Sequence, residues 1–434
     1  MKGKYSDKVL INLEKFKKFT DDNLSRSVIS QYLGYVIKFI FVIILGGWTA
    51  RYLGPNSLGK LSMASSVVAL TIPFGGLGMR GSLSGILTNS DNKNNLVGSA
   101  LLVEIFGRGI LLLITILFAL IYKKNILILL IVFYSLNSFI DFIEILEVDI
   151  LNNKKGSILG KIGIFESIWY LLLTSIFLAF KSPLLAFGSL AFLRNSFKAI
   201  LIISSKYSRN IIVILKSASI STCIKLIKRG IPFIMSGLSI VIAMKIDQVM
   251  IGWICGIDEL GQYSVAVKVN QSLLFLPTIL SQTFVPLVAE NIKAKDFTDT
   301  IRLYKYSWII GITISLAGII VFSNLIPIIF GSEFIKARII LIFISPSFFF
   351  ISMGCAQGVW LNVKKKEKIL LKRTIFSCIV NILGNFILLP IWGSIGAGIA
   401  TTISSFASMI IVTWIDSSKI NKLNNLLFPW NLKL

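Results

Sequence analysis

The side chains of this chain most able to do chemistry are charged ones set inside long apolar runs. Arg194 and Lys198 lie four apart in the run 183–204, Lys38 lies in 28–49, Lys245 in 231–252 and Lys268 in 262–286. An ionisable group at bilayer depth costs ~2.5–3.5 kcal/mol on insertion scales, so it normally faces a cavity or a partner. Residues four apart share a helical face, and the run holding Arg194 and Lys198 contains no acid. Two cations on one face then need an anion, water or an acid from a neighbouring helix. A diphosphate would satisfy them, because a guanidinium offers a forked donor set that suits phosphate oxygens. An interhelical bridge to Asp141 or Glu144 would satisfy them equally, and the sequence leaves both readings open. Lys38, Lys245 and Lys268 extend the cationic track if they face the same cavity; otherwise they snorkel or pair structurally.

The acids pose the complementary question. Asp141 and Glu144 are three apart on adjacent parts of one helical face. They could hold a proton or Na⁺ between them and couple a working cycle to an ion gradient, or they could neutralise Arg194 and Lys198. Asp247, in the run that holds Lys245, is the third acid considered for ion coupling. Glu104 and Arg108, four apart in the favourable order, read as a structural pair. No cofactor beyond such an ion is implied. Histidine is absent, and Cys223, Cys255, Cys355 and Cys378 are scattered without the spacing of a metal site or disulfide framework. No Walker-type phosphate loop is present. Acid–base catalysis by histidine is excluded, which lowers the expectation of an enzyme.

The elements that must position these groups are transmembrane helices. Only 15% of the 434 residues are charged and 55% are hydrophobic, against about a quarter and about a half in soluble proteins; mean hydropathy is +0.82. Apolar runs of the ~20 residues that span a bilayer recur near 28–49, 58–78, 96–121, 125–148, 158–180, 183–204, 231–252, 262–286, 307–330, 339–361, 374–391 and 395–415. They do not alternate as barrel strands would. The fold class expected is all-α and polytopic, with about twelve transmembrane helices. The domain plan is a basic N-terminal segment 1–27, a six-helix bundle 28–204, a basic linker 205–230, a second six-helix bundle 231–416 and a tail 417–434. Val9, Leu13 and Phe16 share one helical face among lysines, which suits either a helix on an anionic membrane surface or a frayed basic tail.

The net charge of +24 would suggest nucleic acid in a soluble protein. Here 30 Lys and Arg fall in the termini and loops of one side and 6 in those of the other. That asymmetry fits the positive-inside rule with both termini cytoplasmic, so the basic charge is explained by topology and nucleic acid is not an expected partner. The halves also repeat. At a shift of 202 positions Gly54 falls on Gly256, Leu58 on Leu260, Gly59 on Gly261, Ser62 on Ser264 and Ala64 on Ala266. With six spans per half the copies enter the membrane in the same sense, as a parallel repeat. Each copy reads as the external elbow of a helical hairpin. Gly54 and Gly256 are expected as left-handed caps, and Gly59 and Gly261 as points of close helix approach. The intramembrane charges do not repeat: Lys38 pairs with Ile240, and Lys245 and Asp247 with Ile43 and Leu45.

Taken together, Thr49 to Pro55 with Gly59, Pro232 followed by Lys245 to Gly252, Leu260 to Ala266 and Asn381 to Thr401 resemble the bacterial polysaccharide-biosynthesis oligosaccharide flippases. These belong to the multidrug/oligosaccharidyl-lipid/polysaccharide exporter superfamily. The likeness runs from about residue 28 to 415, and Asn56 departs from it where an acid is common. The resemblance implies two six-helix bundles around a V-shaped central cavity. It also implies movement of undecaprenyl-diphosphate-linked oligosaccharide to the outer leaflet, with membrane lipids and polysaccharide polymerase machinery as partners. Within the same superfamily the alternatives are an ion-coupled drug exporter and a lipid II flippase. An enzymatic alternative, a polymerase or glycosyltransferase, would need acids or a metal in sizeable outer loops, and these loops are short.

Overall fold

The computed structural model describes residues 23–87, 92–121, 125–153, 155–205, 211–293, 297–416 and 429–431, and within these the side chains of all but 23–42, 84–85, 291–293 and 431, so that of Lys38 lies outside the description. The N-terminal segment 1–22 and most of the tail lie outside the described residues. The helices are α1 Asn23–Gly76, α2 Met79–Leu87, α3 Lys93–Ile121, α4 Ile126–Ile140, α5 Glu144–Asn152, α6 Gly156–Ala179, α7 Leu184–Ser204 and α8 Ile211–Lys216. The second half holds α9 Ile220–Ile254, α10 Ile257–Ser272, α11 Phe275–Lys293, α12 Thr298–Ala317, α13 Ser323–Phe330, α14 Ile335–Ile344, α15 Ser347–Val363, α16 Glu367–Trp392 and α17 Ser394–Ile415. No strand occurs among the described residues.

Local sequence explains the helix starts. The Asn125 side chain caps α4 by accepting from the Leu127 N–H at 3.0 Å, and Ser219 caps α9 by accepting from Thr222 at 3.3 Å. Among the described residues ten helices are long and apolar enough to cross a membrane, or eleven with the bent pair Ser332–Ile344 and Ser347–Val363 taken as one span. The helix α1 is broken at Gly54, and residues from both of its arms line one cavity. It is therefore a hairpin, and counting the arms separately brings the spans to twelve.

The elbows share one backbone conformation. Gly54 has φ 70° and ψ 173°, and Gly256 has φ 95° and ψ 168°. Positive φ was expected, but with ψ of the left-handed helix; the extended ψ found here belongs to a region open essentially to glycine alone. The linker 205–230 also differs from its reading as a loop. It contains α8, and α9 begins at Ile220 and continues through Pro232. Its lysines and arginine are good helix formers, so a basic composition did not imply irregular chain.

Three buried clusters set the shape. One unites Ala50 and Met63 of α1 with Ile251 of α9, Leu260 and Tyr263 of α10 and Ile340 of α14, all toward the elbow end. A second, at the opposite end, joins Met79, Leu101, Ile145 and Ile202 of the first half with Leu226 from the start of α9. A third, also at that end, holds Phe284, Tyr304, Trp360 and Val412, all of the second half. The halves thus share a core at the elbows and keep separate ones at the other end. This is a V with its apex at the elbows. Since lipid is as apolar as a core, close packing rather than water exclusion holds such helices together.

The apex contact is reciprocal. A Cβ on Gly59 would fall on the Ile257 carbonyl oxygen, and one on Gly261 on that of Pro55. Between them Asn56 Nδ2 donates to Asp258 Oδ2 at 3.1 Å, across 202 positions. Arg51 adds a bridge by donating through Nε to the Ile329 carbonyl at 3.0 Å, and a second nitrogen reaches that of Ile328. These are carbonyls at the end of α13, where a cation is favoured. Gly59→Ala and Gly261→Ala should each destabilise the purified protein by about 1–3 kcal/mol through overpacking. Gly160→Ala and Gly163→Ala, where an added Cβ meets nothing, should be neutral in the same thermal-unfolding assay. Equal melting temperatures for all four would show that the elbows do not pack this way.

Candidate functional site

Beneath the elbow contact, between the two halves, lies a cavity of about 430 Å³ lined by both. Three of the cations singled out in the sequence face it: Arg194 from α7, Lys245 from α9 and Lys268 from α10. Lys38 lies on α1, but its side chain is outside the described residues. Lys198 does not reach the lining; its Nζ is 2.5 Å from Glu147.

The partners of the α7 cations correct the sequence reading in detail. Acids from neighbouring helices do reach both, but they are Glu166 and Glu147 rather than Asp141 and Glu144. Arg194 Nε donates to Glu166 Oε1 at 2.5 Å, and its guanidinium lies 5.4 Å from the Tyr170 ring centroid. Asp141 is taken elsewhere, accepting from Asn195 Nδ2 at 2.8 Å and lying 3.7 Å from Arg108. Glu144 pairs with Arg80 at 2.9 Å. Arg108 also binds Glu104 at 2.9 Å, with both side chains almost fully buried, and donates to the Ser138 carbonyl at 2.7 Å. The four-residue spacing of Arg194 and Lys198 fixes their common face, but only tertiary packing decides which acids that face meets.

The second-half groups are arranged differently. Neither Lys245 nor Lys268 has an acid within ion-pair distance among the described residues. Lys268 extends over Gly46 of α1, where an added Cβ would come within 2.9 Å of Nζ. A glycine there leaves room for an amine in the cavity. Asp247 points away from the cavity and is buried. It is held by hydrogen bonds, accepting from Tyr263 Oη at 2.5 Å and from the Gln248 N–H at 2.7 Å. Tyr263 in turn lies 3.4 Å from Thr401 Oγ1.

Among the lining residues that sequence reasoning missed, Gln248 and Tyr170 matter most. Gln248 accepts at Oε1 from Ser62 at 3.0 Å and from Ser66 at 2.6 Å, tying α9 to the second arm of α1. Its signal was Ser62, one of the repeated elbow residues. Tyr170 was invisible because nothing in its run marks the side of the helix that faces Arg194. The lining as a whole offers three cations, side-chain amides at Gln248 and Gln271, and hydroxyls at Thr49, Ser62, Ser65 and Ser264. That is the chemistry of a site for an anion carrying many hydroxyl groups.

Residues 22–292 match the family described as "Polysaccharide biosynthesis protein", and 232–387 match MatE. The capsular polysaccharide biosynthesis protein CapF of Staphylococcus aureus is 27% identical over 135 residues, which is 30% of this chain and 34% of that protein. The probable low-salt glycan biosynthesis flippase Agl15 of Haloferax volcanii is 24% identical over 177 residues, 38% of this chain and 36% of that protein. The similarity to these curated relatives thus spans about a third of their length. Among solved structures, the lipid II flippase MurJ in an inward closed conformation superposes with a TM-score of 0.72 at 14% identity, over 93% of this chain and 92% of that one. At such identity the likeness is one of fold. With residues 22–292 on the family's pattern and the helices in this arrangement, the chain belongs to the polysaccharide biosynthesis protein family of the multidrug/oligosaccharidyl-lipid/polysaccharide exporter superfamily.

Proposed function

We propose that the protein is a flippase of the bacterial cytoplasmic membrane. It carries undecaprenyl-diphosphate-linked oligosaccharide repeat units from the cytoplasmic to the outer leaflet for O-antigen, capsule or exopolysaccharide assembly. The observation that carries this reading is the convergence of Arg194, Lys245 and Lys268, from two halves, on one cavity at the apex of the V. The diphosphate binds the two lysines and the free edge of the Arg194 guanidinium, while the amides and hydroxyls of the lining meet the sugars. The isoprenoid chain stays in lipid. With the linker side cytoplasmic, as its basic loops favour, this elbow-closed arrangement receives cargo from the cytoplasm. Separating the elbows and joining the lower ends would release it outside, where polymerase machinery takes it up. A drug exporter for organic cations would want an acidic, aromatic lining; Tyr134, Tyr170, Phe187 and Phe330 line this cavity, but no carboxylate does among the described residues.

Ion coupling, if present, falls to Asp247 rather than to Asp141 and Glu144. Those two are bridged to arginines, whereas Asp247 has no cation within ion-pair distance among the described residues and would take up a proton or Na⁺ by exchanging its hydrogen bond from Tyr263.

Lipid-linked oligosaccharide exposed on spheroplasts to added glycosidase or lectin is the direct measure. Lys268→Gln should lower exposure by about tenfold, the loss of roughly one charge-assisted hydrogen bond, with unchanged protein abundance; normal exposure would remove Lys268 from the site. Arg194→Gln alone leaves Glu166 buried and unpaired, a destabilising change, so the informative variant is Arg194→Gln with Glu166→Gln. In a chain whose four cysteines are replaced, Asn56→Cys with Asp258→Cys should cross-link on oxidation, stop exposure and recover on reduction. Continued flipping by the cross-linked protein would exclude elbow separation. Asp247→Asn should abolish the dependence of flipping on an imposed ion gradient, and an unaltered dependence would exclude Asp247 as the coupling group.

A further inference from the structure

A second cationic recess lies far from the central cavity, on the linker face. Its volume is about 620 Å³, and it lies between the end of α2, the start of α3 and the start of α9. Thr222, Lys225, Leu226 and Arg229 form the α9 wall, and Asn95 and Leu96 of α3 stand opposite. It shares no residue with the lining of the central cavity.

The walls are fixed by polar contacts that leave the cations out. Asn95 Nδ2 donates to the Ser217 carbonyl at 2.6 Å, and Thr222 Oγ1 donates to Asn95 Oδ1 at 2.7 Å. Leu226 is anchored in the first half's lower core. Lys225 and Arg229, four apart and so on one face, both reach solvent, and neither has an acid within ion-pair distance among the described residues. The recess is thus a cup tied by hydrogen bonds between α3 and α9, with two cations on its rim that have no acid partner among the described residues. Beside it the same helix exposes Ile220 and Ile224, apolar side chains that suit the acyl region just below a headgroup layer.

We propose that this recess binds the phosphate headgroup of an acidic membrane phospholipid, with its acyl chains lying against Ile220 and Ile224. Charge complementarity and the flanking apolar surface favour a lipid over a soluble anion. The separation from the central cavity favours a resident lipid over the transported one. Such a lipid would clamp the start of α9 to the first half, at the point where the chain passes from one half to the other.

The test is native mass spectrometry of the full-length protein, released from detergent after equilibration with phosphatidylglycerol or with phosphatidylcholine. The wild type should retain phosphatidylglycerol in preference to phosphatidylcholine. Lys225→Gln with Arg229→Gln should weaken that retention by about thirtyfold, in line with roughly 1 kcal/mol for each of the two basic residues at an anionic surface. The control Lys216→Gln with Lys228→Gln removes the same charge from neighbouring positions outside the recess and should retain the lipid. Equal losses in the two double variants would reduce the effect to general surface charge and overturn the site. Displacement of the lipid by millimolar inorganic phosphate or pyrophosphate would overturn the lipid assignment in favour of a soluble anion. Thermal unfolding of each variant separates loss of lipid from loss of fold. None of these readouts depends on flipping.

Discussion

Everything else in the molecule hangs from the contact of the two elbows. Glycine at 59 and 261 lets each elbow lie against a carbonyl of the other, Ile257 and Pro55 respectively, and Asn56 meets its own counterpart Asp258 between them. Residues related by the repeat touch one another only where the axis relating the halves passes, so the axis runs through this contact. The cavity sits directly beneath the axis and can draw side chains from both halves. The Asn56–Asp258 pair at the tip is exposed and contributes little to stability. The core that Ala50 and Met63 share with Leu260 and Tyr263 holds the elbows together, so opening here has to part that apolar contact.

The first half is held differently from the second. Glu104, Arg108, Asp141 and Asn195 form one chain of contacts across α3, α4 and α7, and Lys198–Glu147 and Arg194–Glu166 add links to α5 and α6. Removing any one member strands a buried charge, which costs far more than the pair itself contributes. Such a network favours one helix register. The second half keeps its ion pairs at helix ends, Lys336 with Glu259 and Lys366 with Asp416, and within the helices uses amides and small residues. Asn385 donates to Asn381 at 3.0 Å, and a Cβ on Gly384 would lie 3.1 Å from that of Ala400. The first bundle thus sets its ion pairs along the helices and the second at their ends, and it is charges inside apolar runs that a sequence reader sees as functional.

That difference explains what was legible. Twelve spans, two halves and the elbows follow from composition and a 202-residue echo, because bilayer thickness and glycine's freedom act locally along the chain. Arg194, Lys245 and Lys268 stood out because charge is rare at that depth. Their surroundings were not legible. Nothing local tells that Asn195, between the two cations of α7, claims Asp141, or that Arg80, outside the apolar runs, claims Glu144. Helix rotation is a tertiary property, and a one-position change of face would exchange all these partners. The linker hid its helix for the opposite reason, since Lys225, Lys228 and Arg229 are at home both in a helix and in a loop.

The cavity's cations differ in a way that bears on the proposed cycle. Arg194 is neutralised by Glu166 before any cargo arrives, yet its planar fork has donors to spare for phosphate oxygens. Lys245 and Lys268 have no such partner. In the open V they are solvated, but closing the lower ends around an empty cavity would strip water from both, and desolvating an unpaired charge costs several kcal/mol. A bound diphosphate removes that penalty, because its own charge replaces the lost water. The loaded carrier then closes more readily than the empty one, without any added gate. Had the lysines been paired as Arg194 is, closure would be indifferent to cargo; in the proposed cycle it is the lack of an acid partner for Lys245 and Lys268 among the described residues that would couple binding to movement.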